Sequence, residues 1–176
     1  MIKTVQNKRE KMKKLLIVDM QKGFINKNND FLVKNIQNLI GSSRFDKIYA
    51  TKFINHTGSQ FFKFLNWRRF CENSEIDFAV DLPKEAVVIE KTSYAFAGGE
   101  VEKNFDKTDE IYLCGTDYDS CVLAIAFQLF DFGICPHILI DCVGSHSDNP
   151  VSKTDFEKIC EENFSEQSIL RTKNLR

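Results

Sequence analysis

Short runs of nearly unbroken apolar residues, each about the length of one buried strand, constrain this chain more than any other feature. They are KLLIVDM (14–20), KIYAT (47–51), AVVIEK (86–91), EIYLCG (110–115) and HILIDCV (137–143), with SILRT (168–172) as a weaker sixth. A strand with one face in water alternates apolar and polar residues. A continuous run is expected where both faces are covered. Helix-like stretches separate the runs. NDFLVKNIQNLIGS sets Phe31, Leu32, Ile36, Leu39 and Ile40 on a helical period, with Gly41 placed to end it. SCVLAIAFQLFDFG is apolar nearly all round and reads as a buried helix closed by Gly133. NPVSKTDFEKICEENF is amphipathic, with Pro150 near its first turn. Alternating strand and helix predict an α/β fold: three αβα layers, Rossmann-like, with a six-stranded, mostly parallel sheet and helices on both faces.

The length of 176 residues suits one domain. A net charge of -1 gives no electrostatic case for nucleic acid. The opening MIKTVQNKREKMKK is locally basic and reads as a solvated leader over residues 1–12, ahead of one domain over 13–176. Met12 offers an alternative start. No apolar run reaches the ~20 residues of a membrane span, and no signal-peptide core is evident. The six cysteines form no CxxC pair, so reduced thiols and a cytoplasmic setting are expected.

In a parallel sheet of this kind, ligands bind beyond the carboxyl ends of the strands. Three such ends carry reactive side chains. Asp19 follows LLIV, Lys91 follows VVIE, and the loop GTDYDSC, ending in Cys121, follows IYLC. A cysteine at a helix mouth beside a lysine is expected to have a lowered pKa and to serve as a nucleophile. A small buried apolar role is the competing reading. Asp19 is either a general base or a cap of the next turn. Lys91 either holds the charge of Asp19 or is an ordinary surface lysine. Asp117 and Asp119 are expected to shape the turn before Cys121, with Asp119 as its cap. His56, His137 and His146 fall in unrelated contexts, which argues against a Cys–His pair.

These segments, LLIVDMQKGF, VIEKTSYAF and CGTDYDSCVLAIAF, resemble the three signature stretches of the isochorismatase-like cysteine hydrolases, a superfamily that includes nicotinamidases and N-carbamoylsarcosine amidase. The resemblance covers essentially residues 13–175. It implies a catalytic triad of Asp19, Lys91 and Cys121. It also implies a cis peptide between Thr116 and Asp117, and an oxyanion hole formed by the backbone N–H groups of Asp117 and Cys121. The implied reaction is hydrolysis of a C–N bond in a small amide through a cysteine thioester. Hydrolysis of a vinyl ether, and a non-catalytic binding protein that keeps the fold, remain as alternatives. Family members commonly form dimers or larger assemblies, so a homo-oligomer (dimer or tetramer) is expected, with no nucleic-acid or membrane partner.

One departure bears on cofactors. Metal-dependent nicotinamidases carry a D-x-H…H segment after the second strand, where this chain has ATKFINHTGSQF. Phe53 stands at the Asp position and Asn55 near the first His, leaving His56 alone. No metal and no other cofactor is therefore expected. Phe24, Asn55, Tyr94 and Tyr118 are the expected substrate-binding residues. Trp67, in FFKFLNWRRF, is read as a subunit contact.

Overall fold

The computed structural model describes residues 11–175. The leader expected over residues 1–12 lies outside these, except Lys11 and Met12. Those two already meet the start of a central strand: the Met12 carbonyl accepts from the Glu110 amide, and Lys11 Nζ lies 2.7 Å from Glu110. Among the described residues no helix is long and apolar enough to cross a membrane.

All six expected strands form, in one sheet whose pairings are all parallel. They are β1 (Lys13–Val18), β2 (Lys47–Phe53), β3 (Val87–Lys91), β4 (Glu110–Thr116), β5 (Pro136–Gly144) and β6 (Ile169–Leu170). Their spatial order is β3-β2-β1-β4-β5-β6. The chain thus builds outward from β1 to β3, then returns to the other side of β1 for β4. That reversal puts the ends of β1 and β4 side by side at the crevice where open α/β sheets bind ligands.

Among the described residues six α-helices accompany the strands: α1 (Phe31–Ile40), α2 (Gln60–Leu65), α3 (Asn73–Ile76), α4 (Glu100–Asn104), α5 (Leu123–Phe132) and α6 (Lys153–Asn163). The continuous strand runs are explained by two cores. On β1, Leu16 and Val18 pack with Val122, Ile125 and Leu129 around α5, and with Phe156 and Cys160 of α6. Leu15 and Ile17 point the other way, to Leu32, Ile36 and Leu39 of α1. Period-2 alternation has not vanished from these strands; both of its faces are apolar.

Two helix expectations need correction. The α5 helix is not buried all round: Phe127 and Phe130 are 37% and 42% exposed, each with its ring against Phe164. Gly133 does end it, at φ 94°, with its amide on the Leu129 and Phe130 carbonyls. Pro150 does not lie in the first turn of α6. Ser152 caps that helix, its hydroxyl accepting from the Asp155 amide at 3.1 Å.

The close approach of β1 and β4 depends on Gly115. Its φ is +118°, and a Cβ there would lie 2.1 Å from the Val18 carbonyl oxygen. Both backbone conformation and space exclude a side chain. Gly115→Ala is expected to cost about 3 kcal/mol or more, seen as a fall of roughly 6–12 °C in the thermal unfolding midpoint. An unchanged midpoint would show that the β1–β4 junction has slack.

Candidate active site

β1 ends at Val18 because Asp19 turns into the left-handed region, at φ +48°. Thr51 of β2 secures that turn. Its hydroxyl oxygen accepts from the Asp19 amide at 2.9 Å and donates to Asp19 Oδ1 at 2.6 Å. Gln21, fully buried, bridges the same strand ends. Its Oε1 accepts from the Phe53 amide, and its Nε2 donates to the Phe53 and Ile76 carbonyls. Sequence reasoning missed Gln21; a polar residue directly after an apolar run was the available signal.

Lys91 closes β3 two strands away and reaches across to Asp19. Nζ lies 2.7 Å from Asp19 Oδ2, and both side chains are fully shielded from water. Nζ also donates to the Ser93 carbonyl at 2.9 Å and contacts Cys121 Sγ at 3.5 Å. Asp19 thus has Thr51 on Oδ1 and the Lys91 ammonium beside Oδ2. The structure therefore brings Asp19, Lys91 and Cys121 together.

The thiol does not have the lowered pKa expected from its position. Burial pushes Cys121 well above the ordinary thiol value, and the Asp19 carboxylate pushes it further; Lys91 opposes both and is outweighed. Burial also works against the Lys91 ammonium, but Asp19 and Cys121 more than compensate, so its pKa is raised. At rest the cluster is a neutral thiol beside an Asp19–Lys91 ion pair. Nor does Cys121 lie in the first turn of an ordinary helix. It sits in a π-helical turn, Tyr118–Val122, that leads into α5.

The Thr116–Asp117 peptide is cis. Beyond it, the acidic residues do not cap the helix. The Asp119 carboxylate accepts from the Val151 amide at 3.1 Å and ties the loop before α6. Asp117 accepts from the His146 amide at 2.8 Å, from its ring Nδ1 at 2.6 Å, and from the Thr116 hydroxyl. His146, set aside on sequence grounds, thus stands at the site. It follows β5, and no local pattern pairs it with a residue 29 positions earlier.

Above the cluster lies a cavity of ≈ 260 Å³. Cys121, Ser120, Asp117 and His146 line it together with the apolar and aromatic side chains of Phe24, Phe53, Phe61, Leu65, Trp67 and Tyr94. The rings interlock: Phe24 stacks on Phe70 at 3.9 Å between centroids, and Trp67 lies 5.7 Å from both Phe53 and Phe61. Of the four residues expected to bind substrate, Phe24 and Tyr94 line this cavity. Trp67 is correspondingly a wall of the cavity. Asn55 and Tyr118 do not line it. The Asn55 amide donates to the Trp67 and Arg69 carbonyls, and its oxygen accepts from Ser59 and the His56 amide, so its bonding capacity is used in holding the loop. The Tyr118 hydroxyl donates to the Val151 carbonyl at 2.6 Å while its ring packs on Phe156. A larger groove, ≈ 520 Å³, lies at the other end of the strands around Lys14 and Asp109 and has no cysteine in its walls.

Residues 13–164 match the Isochorismatase domain family, and the chain belongs to it. Among solved structures it is similar to PnC1 from L. infantum in complex with nicotinate, at TM-score 0.78 and 18% identity, over 94% of this chain and 95% of that one. N-carbamoylsarcosine amidase from Thermoplasma acidophilum gives TM-score 0.76 and 15% identity, over 91% and 96%. Pyrazinamidase of Pyrococcus horikoshii in complex with zinc gives 0.69 and 22%, over 92% and 98%. No curated protein sequence matches the chain.

The stretch after β2 offers few metal donors: Phe53 has none, Asn55 is fully engaged, and the His56 side chain is exposed with Nδ1 on the Thr57 carbonyl. Among the described residues no three His, Cys, Asp or Glu side chains converge as a ligand set.

Removing one member of a buried ion pair strands the other charge. Asp19→Ala is expected to cost about 3–5 kcal/mol of unfolding free energy, and Asp19→Ala with Lys91→Met to recover most of it. Chemical denaturation of the two variants checks this. Equal stabilities would mean that Lys91 finds other compensation.

Proposed function

We propose that this protein is a metal-independent cysteine hydrolase that cleaves the C–N bond of a small amide. The observation that carries the reading is the placement of Cys121 Sγ, 3.5 Å from Lys91 Nζ, in a buried cluster with the Asp19 carboxylate at the wall of an apolar cavity. A carboxylate beside a protonated thiol is suited to take its proton.

In this mechanism the substrate carbonyl enters beside Cys121. Asp19 accepts the thiol proton as sulfur attacks the carbonyl carbon, so the thiolate forms only when a partner is present. Lys91 keeps its charge and stabilises the carboxylate before transfer and the thiolate during it. The backbone N–H groups of Asp117 and Cys121 serve as the oxyanion donors. Asp19 returns its proton to the nitrogen, the C–N bond breaks, and ammonia or an amine leaves. Water then attacks the thioester with Asp19 as base, releasing the acid and restoring the thiol. The solved structures of similar fold include a pyrazinamidase and an N-carbamoylsarcosine amidase, and a shared amidase chemistry is consistent with them.

Ammonia release from a panel of small primary amides and ureido acids tests the reading. The native protein is expected to release it, Cys121→Ala to abolish it, and Asp19→Asn to slow it by roughly 10²–10⁴-fold. Release that survives Cys121→Ala would sink the thioester route. Pyruvate from isochorismate, with no ammonia from any amide, would move the assignment to vinyl-ether hydrolysis.

A further inference from the structure

Among the polar groups of the cavity wall that the amide chemistry does not use, His146 is held in a defined orientation. His146 is bound by Asp117 through both its amide and Nδ1, and its ring edge meets Phe24 at 5.4 Å between centroids. The short Nδ1–carboxylate contact requires the proton on Nδ1. Nε2 has no hydrogen bond to any described residue, and the ring, 30% exposed, forms part of the cavity wall. Beside the Ser120 and Tyr94 hydroxyls, the aromatic and aliphatic lining, Phe24, Phe53, Phe61, Leu65 and Trp67, suits a flat apolar body.

We propose that His146 is a specificity-determining residue of this site, whose Nε2 donates a hydrogen bond to a neutral acceptor, a ring nitrogen or a carbonyl oxygen, on the flat body of the amide substrate. The inference rests on the amide-hydrolase reading for the nature of the substrate, and on the cavity alone for the binding. The acceptor is neutral because the site supplies no spare cation. His146 is matched by Asp117 and Lys91 by Asp19, so an added carboxylate would be a buried, unmatched anion.

The charge of His146 supports the donor role. The hydrogen bond from Asp117 raises its pKa; burial opposes this, the Asp117 charge adds to it, Arg69 opposes it and Asp119 adds to it. Those three residues are the charged groups that act on the ring. With a raised pKa, the Nε2 proton is present at lower pH and is lost as pH rises through the folded value.

Binding can be read without turnover, because Trp67 is the chain's single tryptophan and lies in the cavity wall. In a Cys121→Ala background, Trp67 fluorescence is titrated with benzamide, the three pyridinecarboxamide isomers and the three carbamoylbenzoates. At about pH 6 at least one pyridinecarboxamide is expected to bind about tenfold or more tighter than benzamide, and the carbamoylbenzoates more weakly than either. Adding His146→Phe should bring the benzamide-to-pyridinecarboxamide ratio to about one. Adding His146→Gln instead, which keeps a donor but cannot titrate, should retain part of the ratio and lose its decline toward about pH 9. A ratio near one in the Cys121→Ala protein, no binding by any pyridinecarboxamide, or a ratio that survives His146→Phe each overturns the proposal. Ammonia release by the native protein is scored separately. Release without a His146-dependent ratio keeps the hydrolase reading and removes this one; a His146-dependent ratio with no release does the reverse.

Discussion

A carboxylate and an ammonium buried together at the ends of β1 and β3 set the terms for everything around them. Neither charge tolerates such burial alone, so each stays charged because the other is 2.7 Å away. The pair also forces geometry on the chain. Asp19 must leave β1 in a left-handed conformation, Thr51 must occupy one of its oxygens, and Lys91 must cross the end of β2 to reach the other. Gly115 lets β4 come close enough to deliver the turn that carries Cys121. Stability and chemistry are thus tied at one point, since the pair that must be buried together also supplies the carboxylate and the ammonium beside Cys121.

The electrostatics of that point differ from a simple activated thiolate. Lys91 lies near Cys121, yet the thiol is pushed upward, because burial and a neighbouring carboxylate together exceed one ammonium already shared with Asp19. In the proposed mechanism this keeps sulfur protonated until a carbonyl is in place. A resting neutral thiol also limits reaction with adventitious electrophiles.

The aromatic wall adds a different constraint. Phe24, Phe53, Phe61, Trp67, Phe70 and Tyr94 come from four separate stretches and pack ring on ring. Such a cage holds its shape through interlocked faces and edges rather than through hydrogen bonds. Asn55 has a supporting role, since its side chain pins the loop that carries Trp67 and Arg69. Phe53 belongs to both systems: its ring lies 5.3 Å from Lys91 Nζ and also forms part of the cavity wall.

Strand positions, the parallel sheet and the three residues of the cluster were legible in the sequence. Apolar runs and strand-end polar residues are local patterns, and each reports its own burial and its place at the rim. The direction of the Cys121 pKa, the engagement of Asn55 and Tyr118 with backbone carbonyls, the role of Trp67 and the His146–Asp117 pair were not. Each of these depends on distances between groups far apart in the chain. Cys121 shows why: its own segment presents a turn before a helix and suggests a thiolate, whereas the folded chain adds burial and the Asp19 field from a strand a hundred residues away. Local sequence determined which groups reach the rim of the sheet. Only the tertiary structure decided how they bias one another, because desolvation and Coulomb interactions depend on what is packed nearby and not on order along the chain.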